Sequence, residues 1–298
     1  TGSHVQTQEV RTSTGYTNGR SAVWVRLPKL AGTNTWIWAY WGDAEATLPA
    51  YASDGSVWTN NYGMVMHMAR TNGYSTPDST AGARNATFQS WMDVRTDVPG
   101  AAGDGAALGL AWASLLLDRS VTLGAEWTLS AWFRNLRDST QARLLAFVDP
   151  NDSPARLPAG SRALGLYDSG TAYPSGYDLD PGDAAWHQLV AIGDADGTRY
   201  LVDGILVGAV TNRLSGSLTA LANINGIGQR GFAEELDEVR FSPVARNTNW
   251  LNTSWRVVAS NAAFVQMLPA ERQQPDSTPE PDSDGDGMLD AWEDEHLG

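Results

Sequence analysis

The chain contains no cysteine, so disulfides and thiolate metal sites are excluded outright. Histidine is nearly as scarce. His4, His67, His187 and His296 are scattered, with no His-Glu-x-x-His run and no paired metal-ligand spacing. There is no Gly-x-Ser-x-Gly elbow and no phosphate-cradling glycine loop. No apolar run approaches the roughly 20 residues that span a bilayer, and the opening Thr1-Gly2-Ser3-His4 has no signal-peptide pattern. Basic charge is short as well: 20 Lys and Arg face 34 Asp and Glu, for a net charge of −14. The imbalance is local. Residues 271–298 carry ten acids against the single base Arg272, which leaves −5 for the first 270 residues. A basic face for nucleic acid or for an anionic membrane surface is therefore not expected.

What is present points to β structure. At 298 residues the chain is long enough for one large domain or two modest ones. Ala22 to Leu27 and Trp36 to Trp41 are rich in β-branched and aromatic residues, with turn residues nearby. Glu126 to Arg134 alternates, placing Trp127, Leu129, Ala131 and Phe133 on one face. Further strands are expected over Trp186 to Ile192, Tyr200 to Val207 and Leu236 to Phe241. The steps Asp196-Gly197 and Asp203-Gly204 between them read as hairpin turns, because glycine supplies the positive φ such turns need. No long amphipathic helix is expected before residue 280. The fold class is all-β, most simply a sandwich. The 13 tryptophans fit β cores, and exposed rings of this kind also stack on the apolar faces of sugars.

After about residue 268 the composition changes. Pro269, Pro275, Pro279 and Pro281 stand among Glu, Gln, Ser and Asp, a stiff solvated linker. It leads to Asp282-Ser283-Asp284-Gly285-Asp286-Gly287-Met288-Leu289-Asp290-Ala291-Trp292-Glu293. Carboxylates stand at loop positions 1, 3, 5 and 9, glycine at 6 and glutamate at 12, the spacing a Ca²⁺ loop requires. Expected ligands are Asp282, Asp284, Asp286, the Met288 carbonyl, Asp290 and Glu293. The alternative is a disordered acidic tail. The segment before the loop is rich in proline, so the loop resembles thrombospondin type 3 or dockerin-like repeats rather than a full EF-hand. Those repeats come in tandem, and the natural protein is expected to continue past Gly298.

Two further resemblances extend along the body. Val23-Trp24-Val25-Arg26-Leu27-Pro28, Trp36 to Gly42 and Tyr62 to Met68 resemble, in that order, the second half of the bacterial domain DUF2341. Asp78 to Ala86, Trp127 to Phe133, Trp186 to Ala191 with Tyr200 to Gly204, Leu236 to Phe241 and Asn249-Trp250-Leu251 resemble five successive pieces of a laminin-G-like, concanavalin A-like jelly roll. The implied organisation is a partial DUF2341-like β segment over 1–72, a jelly roll over 73–268, a Pro-rich linker over 269–281 and a calcium loop over 282–298. Such jelly rolls bind carbohydrate or protein on extracellular surfaces, and some hold a structural Ca²⁺. The resemblance implies Asp78 and Asp237 as candidate ligands for such an ion. The alternative for Asp237 is a structural pairing with backbone or with Arg240.

One run, Glu235-Leu236-Asp237-Glu238-Val239-Arg240, bears on catalysis. It matches the first two acids of the E-x-D-x-x-E strand of retaining glycoside hydrolases, whose paired carboxylates stand about 5 Å apart. Its third position is Arg240, which cannot serve as a general acid. The expectation is a non-catalytic, secreted or surface-exposed bacterial binding module with Ca²⁺ in its tail. Its partners would be a glycan or a surface protein, with no nucleic acid and no membrane insertion. Trp58, Tyr173 and Tyr177 are the candidate ligand-stacking rings. A self-assembling surface or filament subunit, partnered by other copies of itself, is the first alternative. A divergent glycoside hydrolase or lyase of the same fold is the second.

Overall fold

β-branched and aromatic runs become strands, and Gly- and Asp-rich steps become turns. The computed structural model describes residues 8–12, 21–27, 37, 47, 54–68, 75–88, 95–107, 115–136, 142–149, 151–221, 230–231, 233–266, 268–269, 288, 292 and 294. The strand expected over 36–41 lies outside them apart from Ile37. So does the calcium loop, apart from Met288 and Trp292.

The largest sheet is built from β3 (Met64–Met66), β6 (Arg95–Pro99), β7 (Asp104–Ala107), β9 (Trp127–Leu136), β15 (His187–Asp194), β16 (Gly197–Val202), β17 (Ile205–Val210) and β20 (Ala233–Ser242). Its order is β17-β16-β15-β9-β20-β7-β6, and β3 also pairs with β20. A second sheet runs β11 (Ala146–Asp149), β18 (Gly216–Leu221), β8 (Leu115–Leu123), β5 (Ala86–Phe88) and β4 (Ser75–Thr76). A third runs β14 (Thr171–Asp178), β13 (Ala163–Asp168), β12 (Ser153–Leu157), β10 (Arg143–Leu144) and β19 (Arg230–Gly231). The inward residues of all three meet in one apolar core that includes Leu129, Phe133, Leu189 and Tyr200 from the largest sheet. Leu218, Phe88, Leu157 and Leu164 reach it from the other two. This is a jelly-roll-like all-β sandwich. A separate pair, β1 (Gln8–Thr12) and β2 (Ser21–Val25), is antiparallel.

Both Asp-Gly steps lie at hairpins, but at the first the turn residues are Ala195 and Asp196, with Gly197 already paired to Asp194 at the start of β16; the second forms as expected. Val202 pairs with Ile205 across Asp203 and Gly204, whose φ angles are 50° and 75°, the left-handed pair that a two-residue turn requires. Gly193 is fixed by a close approach instead. It sits opposite Trp127, and a Cβ there would meet the indole at 2.3 Å. Trp127 is fully buried and donates from Nε1 to the Leu214 carbonyl at 2.9 Å.

Two features differ from the sequence reading. First, a 12-residue helix, α1 (Thr248–Ala259), does stand before residue 280. Asn247 caps it by accepting from the Trp250 N–H at 2.8 Å, and Leu251 packs with Val190, Ile192 and Leu201 on the outer face of the largest sheet. Second, β9 is covered on both faces. Trp127, Leu129, Ala131 and Phe133 face the core as expected, but Thr128, Ser130 and Trp132 are buried too. Polar side chains therefore lie beneath the helix. Residues 64–66, assigned on sequence to the N-terminal segment, hydrogen-bond to β20 of the sandwich.

Candidate functional site

The site begins with an irregularity in β20. Its register with β9 shifts between Asp237 and Arg240, and Glu238 takes a φ of 50°, a left-handed value that is costly for a non-glycine residue. Regular alternation would send one of the two acids to each face. The bulge buries both, Asp237 at 0% exposure and Glu238 at 1%.

Their environments push them apart. Asp237 accepts from the backbone N–H groups of Glu238 at 2.8 Å and Ala102 at 3.0 Å. Gly100 packs so closely that a Cβ would meet the Asp237 carboxylate at 2.4 Å. Burial, reinforced by the neighbouring Glu238 charge, raises the Asp237 carboxyl well above its ordinary value. Glu238 feels the same burial, but His67 and Arg240 outweigh it and hold its carboxyl below the usual range. Glu238 Oε1 bonds to His67 Nδ1, and Arg240 donates to Oε2 from Nη2 at 2.6 Å and from Nε at 3.2 Å.

Aromatic rings roof this network. Trp24 of β2 stacks on His67 with centroids 5.4 Å apart and planes 16° from parallel. Trp58, in the short 3-10 helix Ser56–Trp58, lies 5.4 Å from His67 and 5.8 Å from Trp24. Tyr62 meets Trp58 edge to face at 5.3 Å. The Arg240 guanidinium lies 4.9 Å from Trp24 and 5.0 Å from Trp58. Val57, Trp58 and Val65 form the buried apolar base of this cluster.

Beside the roof, between the outer face of the sheet and α1, is a small cleft. Tyr62 and Trp250 lie at its rim, and Thr128, Ser130, Gln188 and Ser242 line its sheet side. Arg246 reaches in from the loop before α1. Its guanidinium lies 4.8 Å from the Tyr62 ring and 4.6 Å from the Trp250 ring, an arrangement that favours the cation on both faces. Its Nε donates to Ser242 Oγ at 3.2 Å and its Nη2 to the Asn60 carbonyl. Gln188 is 6% exposed, and its Oε1 has no hydrogen-bond partner.

The residues singled out from the sequence fall in several places. Asp78 is buried, and each of its oxygens is already engaged. Oδ1 accepts from the Val65 and Thr80 N–H groups, both at 2.9 Å. Oδ2 accepts from Thr80 Oγ1 at 2.8 Å and the Arg84 N–H at 2.9 Å. It therefore staples the 63–85 segment, while Asp237 is held by the 100–105 turn. Among the described residues no group of three or more His, Asp or Glu side chains stands together as a metal site would require. Trp58 is 6% exposed, so it cannot serve as the exposed stacking ring it was read as; its neighbours already cover it. Tyr173 and Tyr177 are half-buried on β14 and pack against the core. The tail ligands Asp282, Asp284, Asp286, Asp290 and Glu293 lie outside the described residues, and Met288 stands half-buried at a bend.

Sequence reasoning missed His67, Glu238, Arg240 and Arg246. Glu238 was visible only as a neighbour of Asp237, and strand periodicity gives no sign of a bulge. Arg246 did carry a signal: Arg246-Asn247-Thr248-Asn249-Trp250 is a capped helix start preceded by a cation.

No family model matches the chain, and no curated protein matches it. Among solved structures, the receptor-binding domain of botulinum neurotoxin D is similar at 11% identity and a TM-score of 0.49, over 66% of this chain and 52% of that one. A Trypanosoma rangeli sialidase bound to a difluoro-KDN is similar at 13% identity and a TM-score of 0.48, over 68% and 33%. Domain 4 of the extracellular arabinanase AbnA from Geobacillus stearothermophilus, in complex with arabinotriose, is similar at 15% identity and a TM-score of 0.48, over 61% and 96%. The chain thus spans about half the length of the toxin domain it matches. At these identities and scores, neither ligand nor activity carries over to this chain.

Proposed function

We propose that this chain is a non-catalytic, secreted or surface-exposed glycan-binding module, stabilised by Ca²⁺ in its tail. The observation that carries the reading is the cleft under α1. Aromatic rings at the rim with hydroxyl, amide and guanidinium groups behind them match the two faces of a sugar, one apolar and one hydrogen-bonding. Three of the four carboxylates of β20 are engaged elsewhere, and Glu234 is exposed. Glu235 pairs with Arg134, Asp237 with the 100–105 turn and Glu238 with His67 and Arg240, which favours structural over catalytic work for them. The complete spacing of acids in the tail loop supports Ca²⁺ there, where it would order the loop.

The test is saccharide binding followed by ligand-detected NMR across a panel of oligosaccharides, for the parent chain and for Trp250→Ala. Binding that falls roughly tenfold in the variant supports the reading, since a lost stacking ring removes about 1–3 kcal/mol. Binding unchanged by Trp250→Ala would move the site elsewhere.

One observation favours assembly instead. β17 ends the strand order of the largest sheet, and its Ile205 and Leu206 are 66% and 54% exposed, an edge that a second copy could extend. Concentration-dependent oligomers that Leu206→Lys dissolves would give that reading precedence.

A further inference from the structure

Arg246 is buried to 9% exposure, and among the described residues no carboxylate contacts it. A buried cation without a counter-ion is unusual, because guanidinium does not shed its proton to escape the cost. Burial holds its affinity for that proton below the ordinary value, with Tyr62 only partly offsetting the effect. The nearby Arg240 gives no relief, since it is a second cation whose own carboxylate, Glu238, is already bound to it.

Two further features bear on the ligand. Trp250, Leu251 and Ser254 of α1 line the cleft, near the positive end of the helix dipole, and no acidic residue occupies the first turn of that helix. Gln188, more than nine-tenths buried, lines the same space, and the Oε1 of its amide has no hydrogen-bond partner. A half-turn of that amide presents its NH₂ instead, the donor an anion requires. Ser130 and Ser254 line the cleft too and can each contribute a hydroxyl.

We infer that the cleft takes the carboxylate of an acidic sugar, with Arg246 as its counter-ion and Gln188 as a hydrogen-bond partner. The inference rests on the glycan-binding reading and names the charge class of the ligand. Size is consistent with it. The free space within is about 20 Å³, where a single water needs roughly 10–15 Å³. A carboxylate enters and a pyranose ring does not, so the ring stays at the rim against Tyr62 and Trp250. Without ligand, one or two waters would hold the same position.

The experiment titrates the full chain with uronate- and sialate-terminated oligosaccharides, each beside its own methyl ester, and with sodium acetate. The acid should bind roughly 10- to 100-fold more tightly than the ester, the range of one or two charge-assisted hydrogen bonds. Arg246→Met should erase that difference and Arg246→Lys should keep part of it. Gln188→Glu supplies an internal carboxylate, so it should remove the preference for the acid. Circular dichroism and thermal melting of each variant separate loss of the site from loss of the fold. Acid and ester binding equally, both weakened by Trp250→Ala, overturns the charge assignment and leaves the glycan reading standing. Acetate binding through Arg246 with no saccharide binding overturns the sugar and leaves only an anion pocket. No binding of any probe overturns both.

Discussion

Replacing Glu238 by Gln keeps the shape of the side chain and removes its charge from a network with almost no solvent. Glu238 makes three polar contacts, two with Arg240 and one with His67, and its side chain is fully buried. Each charge-assisted bond is worth about 2 kcal/mol and a neutral one about 1 kcal/mol. The amide oxygen can still accept from Arg240, while the NH₂ faces His67 Nδ1, which must then accept; each contact is weakened rather than lost. The expected destabilisation is about 3 kcal/mol, at the lower end of what breaking a buried ion pair costs. For a domain of this size that lowers Tm by roughly 6–12 °C.

Urea unfolding of the parent chain, Glu238→Gln, Arg240→Met and the double variant measures both the loss and the coupling. The two sites touch, so the double variant should be more stable than the sum of the singles predicts, by about 1–2 kcal/mol. The pH dependence gives an independent check. Glu238 has a folded value below its unfolded one near 4.5, so its stabilisation is complete above pH 4.5 and disappears as pH falls through the folded value. The gap between parent and variant should therefore close as pH falls into acid. A loss below about 1 kcal/mol, or a gap that persists undiminished at pH 2, would refute the electrostatic account and leave packing as the cause.

His187 offers a second titration. It bonds to Asp203 at 2.7 Å through Nδ1 and to Asp183 at 2.9 Å through Nε2. Burial works against its charge, but the two carboxylates prevail and raise its pKa above 6.5. Its contribution to stability is therefore full below pH 6.5 and lost as pH rises through the folded value. Asp203→Asn keeps a residue that tolerates the left-handed turn, so the unfolding-energy difference from the parent should shrink between mildly acidic and alkaline pH; a pH-independent difference would contradict it. For the tail, calorimetric Ca²⁺ titration of the metal-free chain should show a binding event that Asp282→Ala with Asp286→Ala abolishes. A second event surviving in that variant would reopen the case for Ca²⁺ in the sandwich, and no event at all would return the tail to an acidic linker.

Much of the architecture was legible because it depends on local rules. The alternation of Trp127, Leu129, Ala131 and Phe133 marked the core face of β9, and Asp203-Gly204 marked a turn that only left-handed backbone can make. The carbon-rich face of a strand announces itself through period two, and a two-residue turn through its glycine. α1 was missed because its apolar residues are mainly tryptophan and valine, which read equally well as strand; among them only Leu251 is buried, and the cap at Asn247 was its main sign. Trp58 was misplaced for a related reason. A tryptophan between Asp54-Gly55 and Asn60-Asn61 reads as a loop ring, and only the arrival of His67, Trp24 and Arg240 from elsewhere in the chain buries it.

The sequence by itself determined the all-β class, the strand faces, the hairpin turns and the absence of thiol chemistry, because each follows from covalent identity or from contacts within a few residues. It also carries the complete spacing of an acidic loop at the tail. Only the tertiary structure decided that Glu238 would bulge from β20 to meet His67, 171 positions away, and that Thr128, Ser130 and Gln188 would be roofed by α1 beside an unmatched Arg246. Those meetings depend on strand register and on which layer covers which face, and no local preference encodes either.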